Sequence, residues 1–255
     1  MEALRRVLRL EDDGLELDEA ALYVARIEYP ELPIEPWIAE LDFHARAIEA
    51  RRGHSARVGM GKYLFGELGL AGNEQDYYNP QNSCLNQVLE TRMGIPITLC
   101  VVYMEVGRRL GVKVDGIGAP GHFLVRVEED DDVYFLDPYE RGKIREDVED
   151  ELEPQYLVAV PKRGILLRML NNLRLIYLQR QSWKKASLVL DLLLEADPMD
   201  ADGLRQRAAT LAATQRFRAA AVDLEKYLEL RPLDADADEL KNQITRLRRM
   251  HAHKN

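Results

Sequence analysis

Three side chains in the middle of this sequence have the types and order needed for covalent amide chemistry. Cys100 offers a thiol, His122 an imidazole and Asp137 a carboxylate. A thiolate paired with an imidazolium attacks an amide carbonyl, and a carboxylate behind the ring fixes its tautomer and orientation. His122 stands in Pro120-Gly121-His122-Phe123-Leu124-Val125-Arg126, and Asp137 in Leu136-Asp137-Pro138-Tyr139. Their separation, 137 − 122 = 15, suits neighbouring strands joined by a hairpin.

Each of these residues also has a plainer use. A neutral imidazole bonded to a carboxylate can lock two strands together and do no chemistry. Cys100 lies in a nearly all-apolar helical stretch, where a cysteine is ordinarily a small core residue, and Cys84 has the same reading. Thr98 is nearer the start of that stretch, but a threonine hydroxyl needs stronger activation than a thiol. Asn82 and Ser83 open a helix and are adequately explained as caps. His44, His54, His251 and His253 have no partner pattern, and His251-Ala252-His253 reads as a frayed tail. Two cysteines make neither a disulfide framework nor a four-cysteine zinc site. No His-Glu-x-x-His motif, P-loop or dinucleotide fingerprint occurs, and the glycines of Gly116–Gly121 precede a strand, not a helix. The expectation is no metal and no cofactor.

The elements that must position these side chains follow from periodicity. Asp18 is placed to cap a helix ending before Tyr29-Pro30, and Pro36 opens a second that carries Trp37, Leu41 and Ile48 on one face. Arg57–Leu68 reads as a third helix and Ser83–Arg92 as a fourth. Pro96 suits the first turn of a fifth, which Gly111 stops, and its apolar residues cover most of its circumference, so it is expected to be buried and central. Strands are expected over Lys113–Ile117, His122–Val127 and Val133–Leu136, the last two joined across the acidic run Glu128–Asp132.

A buried helix followed by strands bearing a His and an Asp is the layout of the transglutaminase-like branch of the papain-type fold. The motifs are more specific than the layout. Asn79-Pro80, Asn82-Ser83, Leu85-Asn86-Gln87-Val88-Leu89, Arg92, Gly94-Ile95-Pro96-Ile97-Thr98-Leu99 and Val106-Gly107-Arg108-Arg109-Leu110-Gly111, with the His122 and Asp137 segments, resemble bacterial SirB-type proteins. That resemblance covers nearly the whole chain and implies a transglutaminase-like domain followed by tetratricopeptide repeats. It implies a fold more than an activity. In active transglutaminase-like proteins the Cys stands in the first turn of the central helix, where the helix dipole and the His stabilise its thiolate. Here that turn reads Ile95-Pro96-Ile97-Thr98, and aligning Arg108–Gly111 with the end of the family's helix places the family's Cys near Pro96. Cys100 lies about one turn further on, where the SirB pattern implies a Ser.

The second half carries an internal repeat. Residues 183–200 shifted by 34 fall on 217–234, matching Trp183 with Phe217, Ala186 with Ala220, Leu190 with Leu224, Leu194 with Leu228, Pro198 with Pro232 and Asp200 with Asp234. That period resembles the tetratricopeptide repeat. Helices are expected over Leu167–Gln179, Trp183–Ala196, Gly203–Thr214 and Phe217–Leu230, with a cap helix over Asp236–Met250. Arg174 stands where the first repeat should have a small residue.

Charge divides the chain at nearly the same point. Residues 1–160 hold 17 basic and 32 acidic side chains, 17 − 32 = −15, and residues 161–255 hold 18 and 12, 18 − 12 = +6. A surface so negative argues against nucleic acid, and opposite signs favour docking of the repeats on the first domain. No apolar run approaches a membrane span, no secretory signal is visible, and a cytoplasmic protein is expected.

The expected fold class is therefore α+β: a helix-rich papain/transglutaminase-like domain with a small antiparallel sheet over 1–160, then a helical tetratricopeptide-type array over 161–255. Two functions remain open. The preferred one is a catalytically silent module that binds a protein or peptide through a cleft near Asn82, Thr98, His122 and Asp137 and through the repeats. The alternative is a cysteine-type amide hydrolase or acyltransferase using Cys100, His122 and Asp137.

Overall fold

The computed structural model describes residues 1–51, 56–129 and 132–254. His54 lies outside the described residues, as do the middle of the acidic hairpin connection and the side chain of His253. The fold is α+β, and the chain divides into two compact units between Met169 and Leu170.

The first unit opens with helices α1 (Glu2–Val7), α2 (Leu17–Ala25), α3 (Glu35–Glu49) and α4 (Ala56–Gly61), the last running into a π-helical turn, Lys62–Glu67. Short strand β1 (Ala71–Gly72) pairs in parallel with β2 (Met93–Gly94), and α5 (Leu85–Thr91) lies between them in sequence. Helix α6 (Pro96–Leu110) is the organising element. Pro96 fits its first turn, where a backbone N–H has no helical partner, and Gly111 closes it in the left-handed conformation at φ 72°. Ile97, Leu99, Val101, Val102, Tyr103 and Val106 are all buried, as the all-round apolar pattern predicts. Helices α2, α3 and α5 and the sheet pack around it.

Strands β3 (Lys113–Ile117), β4 (Leu124–Glu129), β5 (Asp132–Asp137) and β6 (Lys143–Arg145) form an antiparallel meander in sequence order. Ile117 faces Leu124, and Val125 faces Leu136, so the apolar face carries Ile117, Leu124 and Phe135 onto Val148 of the short helix α7 (Val148–Glu151). β6 had no signal in the alternation. His122 lies just before β4, in the loop from β3, and Asp137 ends β5.

Two capping expectations are corrected. Asp18 is inside α2, not at its cap: it is 2% exposed, and its carboxylate takes Arg109 Nη2 at 2.6 Å. Arg109 also binds Asp42 at 2.6 Å and Glu105 at 2.8 Å, so one guanidinium from α6 ties α2 and α3 to it. Burial pushes Asp18 upward, but Arg109 and the Glu19 amide outweigh it and hold the carboxyl below its ordinary value. Burial beside Asp18 raises Glu105. Asn82 and Ser83 do not cap α5 either. The cap in this stretch is Asn79, whose side chain accepts from Gln81 N at the head of the 3-10 turn Pro80–Ser83.

Helix α8 (Lys162–Gln179) crosses the division between units. The second unit continues with α9 (Trp183–Ala196), α10 (Ala201–Ala213), α11 (Phe217–Leu230) and α12 (Ala237–Lys254). Ala186 and Ala220 have no exposed surface, consistent with close helix approach at the small-residue position of the repeat. Arg174 pairs with Asp200 at 3.5 Å, which gives its guanidinium a partner where the repeat pattern wants a small side chain. The predicted frayed tail is instead helical: α12 includes His251, which lines a cavity in this unit.

Candidate functional site

His122 and Asp137 come together. The ring Nε2 of His122 stands 2.6 Å from Asp137 Oδ2. Asp137 has no exposed surface, whereas the His122 side chain is 28% exposed. The other carboxylate oxygen of Asp137 accepts from the amides of Tyr139 at 2.9 Å and Glu140 at 3.2 Å, so both oxygens are occupied. In the neutral tautomer that carries its proton on Nε2, the ring donates to Asp137 and leaves Nδ1 as an acceptor. Among the described residues no side chain is hydrogen-bonded to Nδ1.

Local chain geometry explains the meeting. The loop from β3 to β4 turns back on itself, His122 N donating to Ala119 O at 3.2 Å with Gly121 at φ 69°. The register of β4 on β5 then sets Val125 opposite Leu136, which brings the start of one strand beside the end of the other. The sequence spacing of 15 was consistent with this hairpin, although His122 precedes the strand expected to contain it.

Cys100 is close but differently engaged. Its Sγ donates to Phe123 O at 3.4 Å, and among the described residues it has no hydrogen bond to His122. The side chain is wholly buried. Burial pushes the thiol well above its ordinary range, and the charge of Asp137 pushes the same way. Reactive cysteines have the reverse environment, exposed and electropositive. Cys84 is also buried and reaches Pro80 O at 3.5 Å.

The remaining cleft candidates belong to the frame. Thr98 has no exposed surface and donates to Asn82 O at 2.6 Å and Ile95 O at 3.1 Å. Asn82, 4% exposed, donates to Asp76 O and Tyr77 O and accepts from Asn73 Nδ2 at 3.0 Å. These bonds fix the 73–82 loop to the first turn of α6. They leave neither residue a free polar group to offer a ligand.

What that loop presents is aromatic. The Tyr77 ring stands edge-on to Tyr78 at 5.3 Å and to Tyr139 at 6.1 Å, and Tyr139 is perpendicular to the His122 ring at 6.2 Å. Tyr77 is 37% and Tyr78 59% exposed. The Tyr139 ring fills the space where a Cβ on Gly72 would stand. Burial raises both Tyr77 and Tyr139, so both phenols are protonated donors at neutral pH. Sequence reasoning passed over this row. The adjacent Tyr77-Tyr78 pair among Glu74, Asp76 and Asn79 was its one visible sign, since such a polar stretch has no core to bury them in.

In the second unit a cavity of ≈ 660 Å³ is lined by Asp191, Arg207, Phe217, Val222, Asp223 and His251, among others. Arg207 is held by Asp223 at 2.7 Å and Asp191 at 2.9 Å, and Val222 is 54% exposed.

Among the described residues no group of His, Cys, Asp and Glu is arranged to hold a metal ion, and no helix is long and apolar enough to cross a membrane.

Comparison with known proteins agrees with the architecture. The profile described as "Transglutaminase-like superfamily" matches residues 35–171, and a tetratricopeptide repeat profile matches 173–245. A UPF0162 protein of Xylella fastidiosa (strain 9a5c) is 35% identical over 260 residues, covering 93% of this chain and 92% of the relative. A UPF0162 protein of Vibrio cholerae is 28% identical, covering 92% and 93%. Human F-box only protein 21 is 31% identical over 150 residues, which are 53% of this chain and 22% of that protein. These relatives carry the UPF0162 and F-box names, not the SirB name. With its dyad formed between the β3–β4 loop and the end of β5, its central buried helix and its repeats, the chain belongs to the transglutaminase-like superfamily and, within it, to the UPF0162 proteins.

Proposed function

We propose that this protein is a protein- or peptide-binding module built on a transglutaminase-like domain, and that it performs no thiol chemistry. One observation carries the reading: the Cys100 sulfhydryl is sealed from solvent and bonded to the Phe123 carbonyl, not to the imidazole that would have to activate it. The first turn of α6, where the fold would place a nucleophile, holds Pro96, Ile97 and the fully bonded Thr98.

The contact face of the first unit is the row Tyr77, Tyr78, Tyr139 and His122. It offers aromatic surface, phenol donors and one imidazole acceptor, a composition that suits peptide recognition. The repeat region supplies a second face, since tetratricopeptide repeats generally mediate protein contacts. The SirB-type motifs, a cytoplasmic location and a partner that is neither nucleic acid nor membrane belong to this same reading. So does docking of residues 161–255 on residues 1–160, supported by their charges of +6 and −15. Hydrodynamic size unchanged between low and high salt would remove charge as the cause of docking.

Thiol labelling tests the central claim. Native protein is treated with a thiol-reactive probe across pH 5–10, with His122→Ala alongside. The expected result is labelling of Cys100 far slower in the native protein than in denaturant, at every pH. Rapid labelling with a depressed apparent pKa, lost in His122→Ala, would restore the cysteine hydrolase or acyltransferase with Cys100, His122 and Asp137 in the catalytic roles.

A further inference from the structure

Arg168 has no role in the reading so far, yet it touches the segment that carries His122. It lies on α8, past the residue 160 at which charge divides the sequence. Its Nη2 donates to His122 O at 3.1 Å and to Ala119 O at 3.3 Å. Its guanidinium carbon lies 5.1 Å from the centre of the Phe123 ring. A Cβ on Gly118 would stand 2.5 Å from Nη1, so the loop approaches the guanidinium as closely as only glycine allows.

The chemistry is unusual for an arginine in such a place. Among the described residues Arg168 has no carboxylate partner, and burial lowers its pKa with no acid nearby to offset it. Half-buried cations are ordinarily paired. Here two backbone carbonyls and one aromatic face take the place of the counter-ion, and all three belong to residues 119–123. A planar fork can hold two carbonyls and stack at the same time, which an ammonium cannot do.

Three side chains from three elements therefore pin one short loop. Arg168 of α8 holds Ala119 O and His122 O, Cys100 of α6 holds Phe123 O, and Asp137 of β5 holds the His122 ring. We propose that Arg168 is the positioning residue of His122: it fixes the backbone on either side of Gly121 so that Nε2 meets Asp137 and Nδ1 faces outward. The assignment goes beyond the binding reading, because a dyad that binds and a dyad that catalyses both need the ring held. It also makes the first half of α8 part of the site, so a boundary at 160 would cut the site from its support.

The test uses the full chain with Arg168→Lys and Arg168→Met. Lys keeps the charge and loses the fork; Met keeps much of the stem packing and loses both. The site readouts are amide exchange over 118–123, the exchange rate of the His122 Nε2 proton by NMR, and the labelling rate of Cys100 beneath Phe123. Amides of α9–α11 and the thermal midpoint serve as controls. Expected is a 10-fold or greater rise in all three site rates for Met and a smaller rise for Lys, with the α9–α11 amides unchanged. Site rates unchanged in both variants would overturn the proposal. A rise that merely tracks a fall in thermal midpoint and appears equally in α9–α11 would overturn it too, because it would reduce Arg168 to general stability. Lys matching wild type would overturn the fork argument.

Discussion

The sign of one titration separates a buried structural thiol from a primed nucleophile, and it can be read without any substrate. In the fold, burial and the charge of Asp137 raise the Cys100 thiol well above its ordinary value. In the unfolded chain a cysteine titrates near ~8.5. With the folded value above the unfolded one, the thiol's contribution to stability is complete below pH ~8.5 and is lost as pH rises beyond it, because the unfolded chain releases a proton that the fold retains. The limiting slope is about 1.4 kcal/mol per pH unit. Between pH 7.5 and 9.5 the loss integrates to about 1.4 kcal/mol, from RT times the logarithm of the roughly tenfold increase in ionisation of the unfolded state. Other groups titrate over that range, so the measurement is the difference between wild type and Cys100→Ala in urea unfolding at each pH. Cys84 and the tyrosines are common to both proteins and cancel. At neutral pH Cys100→Ala is expected to cost about 1 kcal/mol, for a small void and the lost bond to Phe123 O. That gap should close near pH ~9 and be reversed by pH ~9.5. A nucleophile with a depressed value gives the opposite trend: wild type would gain on the variant as pH rises from 6 to 8, and the structural assignment of Cys100 would be refuted.

Other consequences are simpler to check. Asp137→Ala removes a carboxylate with no exposed surface and orphans the amides of Tyr139 and Glu140, so a loss of about 3–5 kcal/mol is expected by chemical denaturation; His122→Ala, with a part-exposed ring, should cost less than half as much. Arg109→Met leaves the buried Asp18 and Glu105 with Arg108, at 3.3 and 2.8 Å, and removes the tie to Asp42; it should cost about 1.5–3 kcal/mol at pH 7. Asp18 is held low by Arg109 in the wild type, so its stabilising share is present above the ordinary aspartate range and lost as pH falls; the deficit of the variant should therefore narrow toward pH 4. In the second unit, Ala220→Leu puts bulk at a residue with no exposed surface and should lower stability by about 1–3 kcal/mol.

The parts of the fold legible in the sequence were those governed by local rules. Pro96 and Gly111 bracket α6 because one lacks an N–H where none is needed and the other adopts positive φ. Trp183–Ala196 and Phe217–Leu230 were readable to the residue because the 34-residue period repeats their boundaries. What was misread depended on distant chain. Asp18 has the type of a cap, and only Arg109, far along the sequence, turns it into a buried ion-pair member. Asn82 looks available until the 73–77 loop folds onto its amide. His122 and Asp137 were found by order and spacing, whereas Tyr77 and Arg168 reach the dyad from segments 45 and 46 residues from His122 by subtraction, beyond any local periodicity.

The same contrast bears on what the dyad is for. A histidine that only locks two strands together needs no exposure, and a fully buried pair would serve that purpose better, with the ring shielded from competing water. Asp137 fits the structural role completely: it is sealed, and both its oxygens are engaged. His122 does not. Its side chain is 28% exposed, its Nδ1 has no bonded partner among the described residues, and the one aromatic ring standing against it, Tyr139, opens a row that leads to exposed Tyr77 and Tyr78. The carboxylate is thus explained as framework, and the imidazole is left over as a presented group. An acceptor held at fixed orientation beside aromatic faces recognises a hydrogen-bond donor on a ligand. On this argument a His122→Gln variant, which can keep one acceptor at the surface, should retain more partner binding than His122→Leu, measured by isothermal titration against a peptide selected for binding to the wild type. Equal affinities would place the recognition elsewhere, in the tyrosine row or in the repeats.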